Sequence, residues 1–397
     1  MILLLTLSIL LLLGIVQTSL TLLSLNRKIR LLADLFASSS SFASLISPLI
    51  PLCGLDFALT RHNQSELCFC SRLIAKFSFL ISPFSFLLSH FPMEPISLHI
   101  LGCGSAKPTL RHLPSAQILE LRGKYYMIDC GEGVQTTMQK SGLSMLKVGH
   151  IFISHNHGDH VFGLPGLIST MALLGRTAQL HIHGPQELEE FLNIVLKVYC
   201  EGIDYEVIFH PVRTREHYLI YEDRSTEVWS IPLEHRVPCA GFLFREKQPL
   251  PHIRREMIEA FNIPVSQINN IKAGASWTTE DGTFIPHERL TTPAAPARSY
   301  AYCSDTRYAP KVAEMVRGVN LLYHEATFPH EMLLQAKKTM HTTAHEAALV
   351  AKEANVGKLI IGHYSARIKD EESMLKEAKS VFTNVILAQE GLKIDII

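Results

Sequence analysis

Four metal-ligand-type side chains crowd the stretch SHNHGDH, residues 154 to 160: His155, His157, Asp159 and His160. A lone histidine is most often a satisfied core or surface residue, but packing does not explain four such side chains in so short a segment. In a loop, side chains two apart point the same way, so His155 and His157 can hold one ion. Asp159 and His160 then face a second position. Zinc takes imidazole nitrogen at about 2.0–2.1 Å, with carboxylate oxygen at similar range, and a catalytic site keeps one position open for water. Four ligands do not complete two such sites. The chain offers three more: His235 in PLEHRVPCAGF, Asp305 in CSDTR and His363 in IGHYSAR. Asp305 is the natural bridge, because each of its oxygens can hold one ion. Two zinc ions roughly 3.5–4 Å apart suit the in-line displacement of a phosphoryl group.

These residues need elements to bring them together. The run HIFIS before the histidine cluster is short, apolar and β-branched or aromatic, and it ends in a polar, glycine-containing turn, so it reads as a buried strand. His235, Asp305 and His363 likewise stand at or just beyond the ends of strand-like runs, where α/β folds place their chemistry. Upstream, ISLHILGCGSAKP is a strand followed by a glycine turn, and SAQILELRGKYYMIDCGEG reads as a hairpin turning at Arg122-Gly123-Lys124. GCGSAKP lacks the pattern of a phosphate loop and reads as a tight strand-to-strand turn. VQTTMQKSGL, GLPGLISTMALLG and QELEEFLNIVLKVY are helical. Strands come first with helices interleaved, which makes the fold class α/β, with mixed sheets in layers. Residues 245–298 are rich in proline, charge and turn residues and break this pattern, as an inserted, protruding arm would.

Composition bounds the partners. The 397 residues carry 37 basic and 37 acidic side chains, so no global basic field marks a nucleic-acid partner, and a polyanion would need a local patch. Eight cysteines include no C-x-x-C pair or disulfide-like framework, which favours a reducing compartment. Residues 1–92 differ in kind: Leu, Ser, Phe and Ile dominate, and the only acids are Asp34, Asp56 and Glu66. MILLLTLSILLLLGIV has the apolarity of a signal anchor within residues 1–30 but lacks a basic segment before it. Two readings stand: a membrane anchor with a tether, or a start assigned too far upstream, the true one being Met93. The second is preferred, because organised alternation begins only at Ile96. On it, residues 93–397 form a cytoplasmic protein.

The ordered set GCGSAKP, MIDCGEG, SHNHGDHVFGLPGL, LEHRVPCAGF, SDTR, HEATF, HTTAHEAA and GHYSAR resembles ribonuclease Z, the tRNA 3′-processing endoribonuclease of the metallo-β-lactamase superfamily. The resemblance runs from about Ile96 to the C-terminus. It implies an αββα four-layer sandwich of two mixed sheets with helices outside, two zinc ions per subunit, precursor tRNA as substrate and a homodimer. Residue by residue, it assigns one zinc to His155, His157, His235 and Asp305, and the other to Asp159, His160, His363 and the shared Asp305. Asp159 resembles the acceptor of the attacking water's proton. His341 of HTT and Glu325 of HEATF resemble the pair that handles the leaving 3′ side. The capping pattern Thr343-Ala-His-Glu346 starts a helix just behind His341, which suits that role. Ser365 and Arg367 either touch substrate phosphate or merely close a turn. His181, His183, His324, His330 and His345 read as structural. In the family the arm clamps tRNA with a glycine-proline tip. Here the comparable stretch, FNIPVSQINNIKAG, lacks that dipeptide, and its flanking cations are nearly matched by acids. The competing readings are a phosphodiesterase or other small-substrate hydrolase on the same fold, and a binding protein with a dead metal site. The last is disfavoured, because every expected ligand position is filled.

Overall fold

The computed structural model describes residues 96–397, so both readings of the N-terminal extension fall outside the described residues. The chain first lays down β1 (Ile96–Gly102), β2 (Ala116–Leu121), β3 (Lys124–Cys130), β4 (Val148–Phe152), β5 (Leu180–Gly184) and β6 (Val207–Pro211). A second run follows: β7 (Leu219–Glu222), β8 (Thr226–Pro232) and β9 (Ala240–Glu246). After the short strands of the arm, β10 (His252–Ile253), β11 (Trp277–Thr278), β12 (Phe284–Ile285) and β13 (Thr291–Thr292), come β14 (Ser299–Cys303), β15 (Leu321–Glu325), β16 (Lys358–Gly362) and β17 (Val385–Leu387). The final strand, β18 (Lys393–Ile396), returns to the first sheet. One sheet has the order β18-β1-β2-β3-β4-β5-β6 and the other β17-β16-β15-β14-β9-β8-β7. Each is antiparallel in one part and parallel in the other, β3 to β6 in the first and β14 to β17 in the second.

Alternation of side chains explains the layers. In β3, Tyr126 and Ile128 face the other sheet and meet Phe242, Phe244 and Tyr302, while Met127 faces outward onto helices. The outward face is covered by α1 (Val134–Lys140), α3 (Leu164–Leu173) and α4 (Leu188–Tyr199), through Met138, Leu167, Ile168 and Leu192. A single turn, α2 (Gly158–Val161), lies between α1 and α3. The second sheet is covered by α8 (Lys311–Met315), α10 (Ala344–Glu353) and α11 (Glu371–Lys379), through Val312, Ala347, Val350 and Met374, with α9 (Leu333–Thr339) between α8 and α10 along the chain. The result is the expected arrangement of two mixed sheets with helices outside. Among the described residues, no helix is long and apolar enough to cross a membrane.

The segment between β9 and β14 is built independently. Helices α5 (Arg255–Ala260), α6 (Val265–Lys272) and α7 (His287–Leu290) and two small antiparallel strand pairs, β10–β13 and the hairpin β11–β12, enclose their own cluster of Ile263, Ile271, Ile285 and Leu290. At its neck the buried Arg298 guanidinium donates to Glu246, with Nε–Oε2 at 2.9 Å and Nη2–Oε1 at 3.1 Å. Several of its cations are thus committed locally: Arg298 to Glu246, Lys247 to Glu222, and Arg254 to the Thr291 carbonyl.

Helix α10 is started by the capping box foreseen in the sequence. Thr343 Oγ1 accepts from the Glu346 amide, and Glu346 Oε2 accepts from the Thr343 amide. Both groups are buried, and the preceding residues 340–342 lead into the site. Thr343→Ala should destabilise the fold by about 0.5–2 kcal/mol. Equilibrium denaturation checks this, and an unchanged midpoint would remove the cap from the account.

Candidate functional site

The site forms where strands of both sheets end. β3 delivers Asp129, β4 runs into Ser154 and His155, β14 into Asp305, and β15 and β16 end in Glu325 and Gly362, next to His363. His235 sits in the loop between β8 and β9. That loop is closed by the Leu233 amide donating to the Cys239 carbonyl (3.2 Å) and pinned to the segment just after β14 by the Glu234 amide on Thr306 Oγ1 (3.0 Å). The backbone is forced at several of these points. Ala106, Asp129, Met340 and His363 all lie in the left-handed region, with φ between 50° and 65°, a conformation held at a cost of about 1–3 kcal/mol each when the surroundings over-determine it. Gly131 is required for another reason: a Cβ there would lie 2.8 Å from the Asp159 carbonyl oxygen.

Seven of the residues singled out from sequence converge. His155, His157, His235 and Asp305 form one group of mutually close ligand atoms, and Asp159, His160 and His363 form another. Asp305 joins them. Its Oδ2 lies 3.6 Å from His155 Nε2 and 3.7 Å from His235 Nε2, and its Oδ1 lies 3.1 Å from His363 Nε2 and 3.5 Å from His160 Nε2. Asp159 Oδ2 completes the second group at 3.6 Å from His160 Nε2 and 3.7 Å from His363 Nε2. Each oxygen of one carboxylate thus serves one group.

The far side of each ring fixes its near side. His160 Nδ1 donates to Asp129 Oδ2 (2.7 Å) and His235 Nδ1 to the Met340 carbonyl (3.0 Å). Thr327 Oγ1 donates to Glu325 Oε2 and is therefore free to accept from His363 Nδ1 at 2.9 Å. These bonds turn Nε2 of His160, His235 and His363 inward, where the three buried nitrogens have no hydrogen-bond partner. Unsatisfied buried nitrogens are costly unless something else takes their lone pairs. Facing shared carboxylate oxygens, they have the form of a metal-binding centre with its outer hydrogen bonds in place. The residues fit a pair of metal ions.

Electrostatics agree. Burial would raise the Asp305 carboxyl, but the imidazoles of His363, His160 and His155 hold it well below the usual carboxylate range. Burial and the neighbouring His160 push His155 far down, and burial likewise lowers His157 and His235. These rings are neutral at neutral pH, as ligands must be. His160 differs. Burial opposes its protonation, yet Asp129, Asp159 and Asp305 together push it up to about 10.

Beside the two groups lies His341. Its Nδ1 donates to Glu325 Oε1 at 2.8 Å, and Glu325 is itself held by the amides of Thr306 and Thr327, both at 3.0 Å. Burial disfavours the imidazolium, but the Glu325 charge and hydrogen bond outweigh it, and His341 is raised to about 9. The other sequence candidates are less involved. The Ser365 hydroxyl accepts from the Arg367 amide (3.4 Å) and the Ser365 amide bonds to the Thr327 carbonyl, so Ser365 closes the turn, while the Arg367 side chain is exposed.

Sequence reasoning missed three contributors. Asp129 accepts from the Ser154 amide (2.8 Å), Ser154 Oγ (3.0 Å), His160 Nδ1 (2.7 Å) and Tyr302 OH (2.6 Å). The acid at the end of an apolar strand in MIDCGEG was its signal. Thr327 links Glu325 to His363, with no signal beyond its place in HEATF. The glycine turn also has a task, because the Ala106 amide donates to Asp159 Oδ2 at 2.7 Å.

Asp129→Asn should weaken metal binding about 10–100-fold, read by competition with a chromogenic chelator. A pH effect accompanies it. In metal-stripped protein, His160 has its pKa raised above the unfolded value of about 6.5. The stabilisation is therefore full below about 6.5 and lost as pH rises through about 10. Denaturation of stripped protein across this window should show that loss, and the loss should shrink in Asp129→Asn. An equal slope in both proteins would contradict the coupling.

Three comparisons bear on this geometry. A family description, "Anti-Pycsar protein Apyc1", matches residues 96–236, a span that ends before Asp305, Glu325, His341 and His363. The human short-form tRNase Z structure superposes with a TM-score of 0.56 at 24% identity, covering 76% of this chain and all of that one, which establishes the shared fold. "Ribonuclease Z" of Bacteroides fragilis is 54% identical over 304 residues, 77% of this chain and 100% of its own length. The protein of the same name from Porphyromonas gingivalis is 50% identical over the same length. With its full set of ligand groups and with relatives this similar along their entire length, the chain belongs to the ribonuclease Z family.

Proposed function

We propose that this chain is a zinc-dependent endoribonuclease that cuts precursor tRNA after the discriminator nucleotide, leaving a 3′-hydroxyl on the tRNA and a 5′-phosphate on the trailer. The observation that carries the reading is the pair of ligand groups joined by Asp305, with the His341–Glu325 pair beside them, in a chain 54% identical to a ribonuclease Z. Five imidazoles and two carboxylates form a donor set suited to zinc. His155, His157, His235 and Asp305 Oδ2 would hold one ion, and Asp159, His160, His363 and Asp305 Oδ1 the other. Bound there, the ions would supply Lewis-acid stabilisation of charge on the phosphoryl oxygens.

The remaining steps fall to side chains. Asp159, oriented by the Ala106 amide, accepts the proton of the attacking water. His341, protonated at neutral pH with its Nδ1–H committed to Glu325, presents Nε2–H to the departing 3′-oxygen. Glu325 keeps that ring aligned and charged. The five buried free cysteines among the described residues support a reducing, cytoplasmic setting. Exposed apolar side chains at the end of α3 and along α4 (Leu173, Leu174, Ile194, Val198 and Tyr199) support the homodimer the family resemblance implies. Ser365 and Arg367 are proposed only as neighbours of the substrate path, since Ser365 is occupied in its turn. The arm, residues 245–298, contributes binding rather than chemistry, because it supplies none of the ligand atoms.

Asp159→Ala should abolish cleavage of precursor tRNA by Met93–Ile397; near-normal turnover at matched zinc content would defeat the assignment. His341→Ala should keep its metal and lose about 10²–10⁴-fold in rate. If elemental analysis finds the metal lost as well, His341 is a ligand and not the acid.

Deleting residues 250–290 should raise KM for precursor tRNA strongly while largely sparing hydrolysis of a chromogenic phosphodiester. The salt dependence of tRNA binding should also flatten. Light scattering on the same samples should give a dimeric mass with and without the arm. Parallel loss of both activities would mean that the arm supports the fold.

A further inference from the structure

Next to the metal-ligand groups is a cavity of about 320 Å³ that none of the assigned residues except His235 accounts for. It lies between the loop after β6 and the loop between β8 and β9. Its walls include Leu233, Val237, Pro238 and Met340, and it is lined by Arg215 and Arg236. Both arginines are exposed, and among the described residues neither has an ion-pair or hydrogen-bond partner. The nearby charges do not explain them: Glu234 is paired with Arg307, and Glu216 with Arg213. Arg236 is close enough to the site for its charge to act on His157 and His341, behind the larger effects of burial and the carboxylates. The walls are held firm by the Leu233–Cys239 hydrogen bond and by His235 Nδ1 on the Met340 carbonyl.

The position of the cavity tells which side of the scissile bond it serves. Met340 is a wall residue and directly precedes His341, the proposed donor to the leaving 3′-oxygen. The nucleotide bearing that oxygen must therefore lie on this side. We infer that the cavity receives the last nucleotide of the mature tRNA, with Arg236 and Arg215 holding its 5′-phosphate and the apolar walls gripping its sugar and base face. The inference rests on the tRNA-cleaving reading for which nucleotide arrives, but the cavity's chemistry stands by itself. Guanidinium forks suit phosphate, and contacts to phosphate position a strand without reading its sequence. Besides the arginines, the polar lining is Thr214, the Glu234 carboxylate already paired with Arg307 and His235 held by the Met340 carbonyl, so few groups are left to read a base and all four discriminator bases should be accepted about equally.

The free ligand that mimics this nucleotide is a nucleoside 5′-monophosphate. AMP, CMP, GMP and UMP should each inhibit hydrolysis of a chromogenic phosphodiester by zinc-loaded protein, with similar inhibition constants. In R215Q/R236Q those constants should rise roughly tenfold or more. The same variant should raise KM for precursor tRNA far more than it lowers kcat, and the slope of log affinity against log salt should flatten by about 0.7 per lost phosphate contact. R236K, which keeps the charge without the fork, should recover part of the loss. Equal inhibition of wild type and double variant would overturn the inference, because the nucleotides would then bind elsewhere. It would also fall if the variant's rates on tRNA and on the small diester dropped in parallel with a shifted pH profile, since Arg236 would then act only through His157 and His341. If the monophosphates bind as expected and the unaltered protein leaves precursor tRNA intact, the tRNA reading fails and the nucleotide cavity remains.

Discussion

The interaction on which the site depends is the buried carboxylate of Asp129. It accepts hydrogen bonds from the backbone and hydroxyl of Ser154, at the end of β4, from His160 in the following turn, and from Tyr302 in β14 of the opposite sheet. One side chain therefore ties together two strand ends of the first sheet, a ligand-bearing loop and the second sheet. Leaving such a group unpaired in the interior would cost several kcal/mol. Only the arrangement that brings all four donors to it is tolerated, and that arrangement places His155 and His160 opposite Asp305.

The second constraint is charge. Asp305 and Asp159 stand among imidazoles that hold both carboxylates ionised, while burial keeps His155, His157 and His235 neutral against the opposing pull of Asp305, and three carboxylates together keep a proton on His160. Outside that circle, Glu325 uses the same logic for the opposite end. By holding His341 through Nδ1 it keeps a proton on a ring that burial alone would strip. Ring centroids 5.2 Å apart thus separate the neutral His235 from the protonated His341.

This order is paid for in the backbone. Asp129, His363, Met340 and Ala106 hold left-handed conformations around the site, and Gly131 allows the Asp159 carbonyl to approach closely. The strain at Asp129 and His363 is borne by strand ends that the two-sheet core fixes, that at Ala106 by the loop after β1, and that at Met340 by the end of the helix Leu333–Thr339. The inserted arm stands apart, with a core of its own and a buried Arg298–Glu246 pair at its neck. Fold and arm are separable in a way that ligand groups and fold are not.

The sequence by itself determined which residues the candidate site is built from. The spacing in SHNHGDH sorted His155 and His157 from Asp159 and His160, and strand-end positions picked out His235, Asp305 and His363. A capping pattern located the helix behind His341. These features were legible because they depend on local periodicity and on side-chain type. Only the tertiary structure decided the rest. Asp129, Thr327 and the Ala106 amide act through partners far along the chain, and their residue types carry no mark of that use. The cavity beside His235 is likewise invisible in the sequence, where Arg215 and Arg236 are two cations among 37. They become a pair only when two loops fold against each other and their nearest acids are claimed by other arginines.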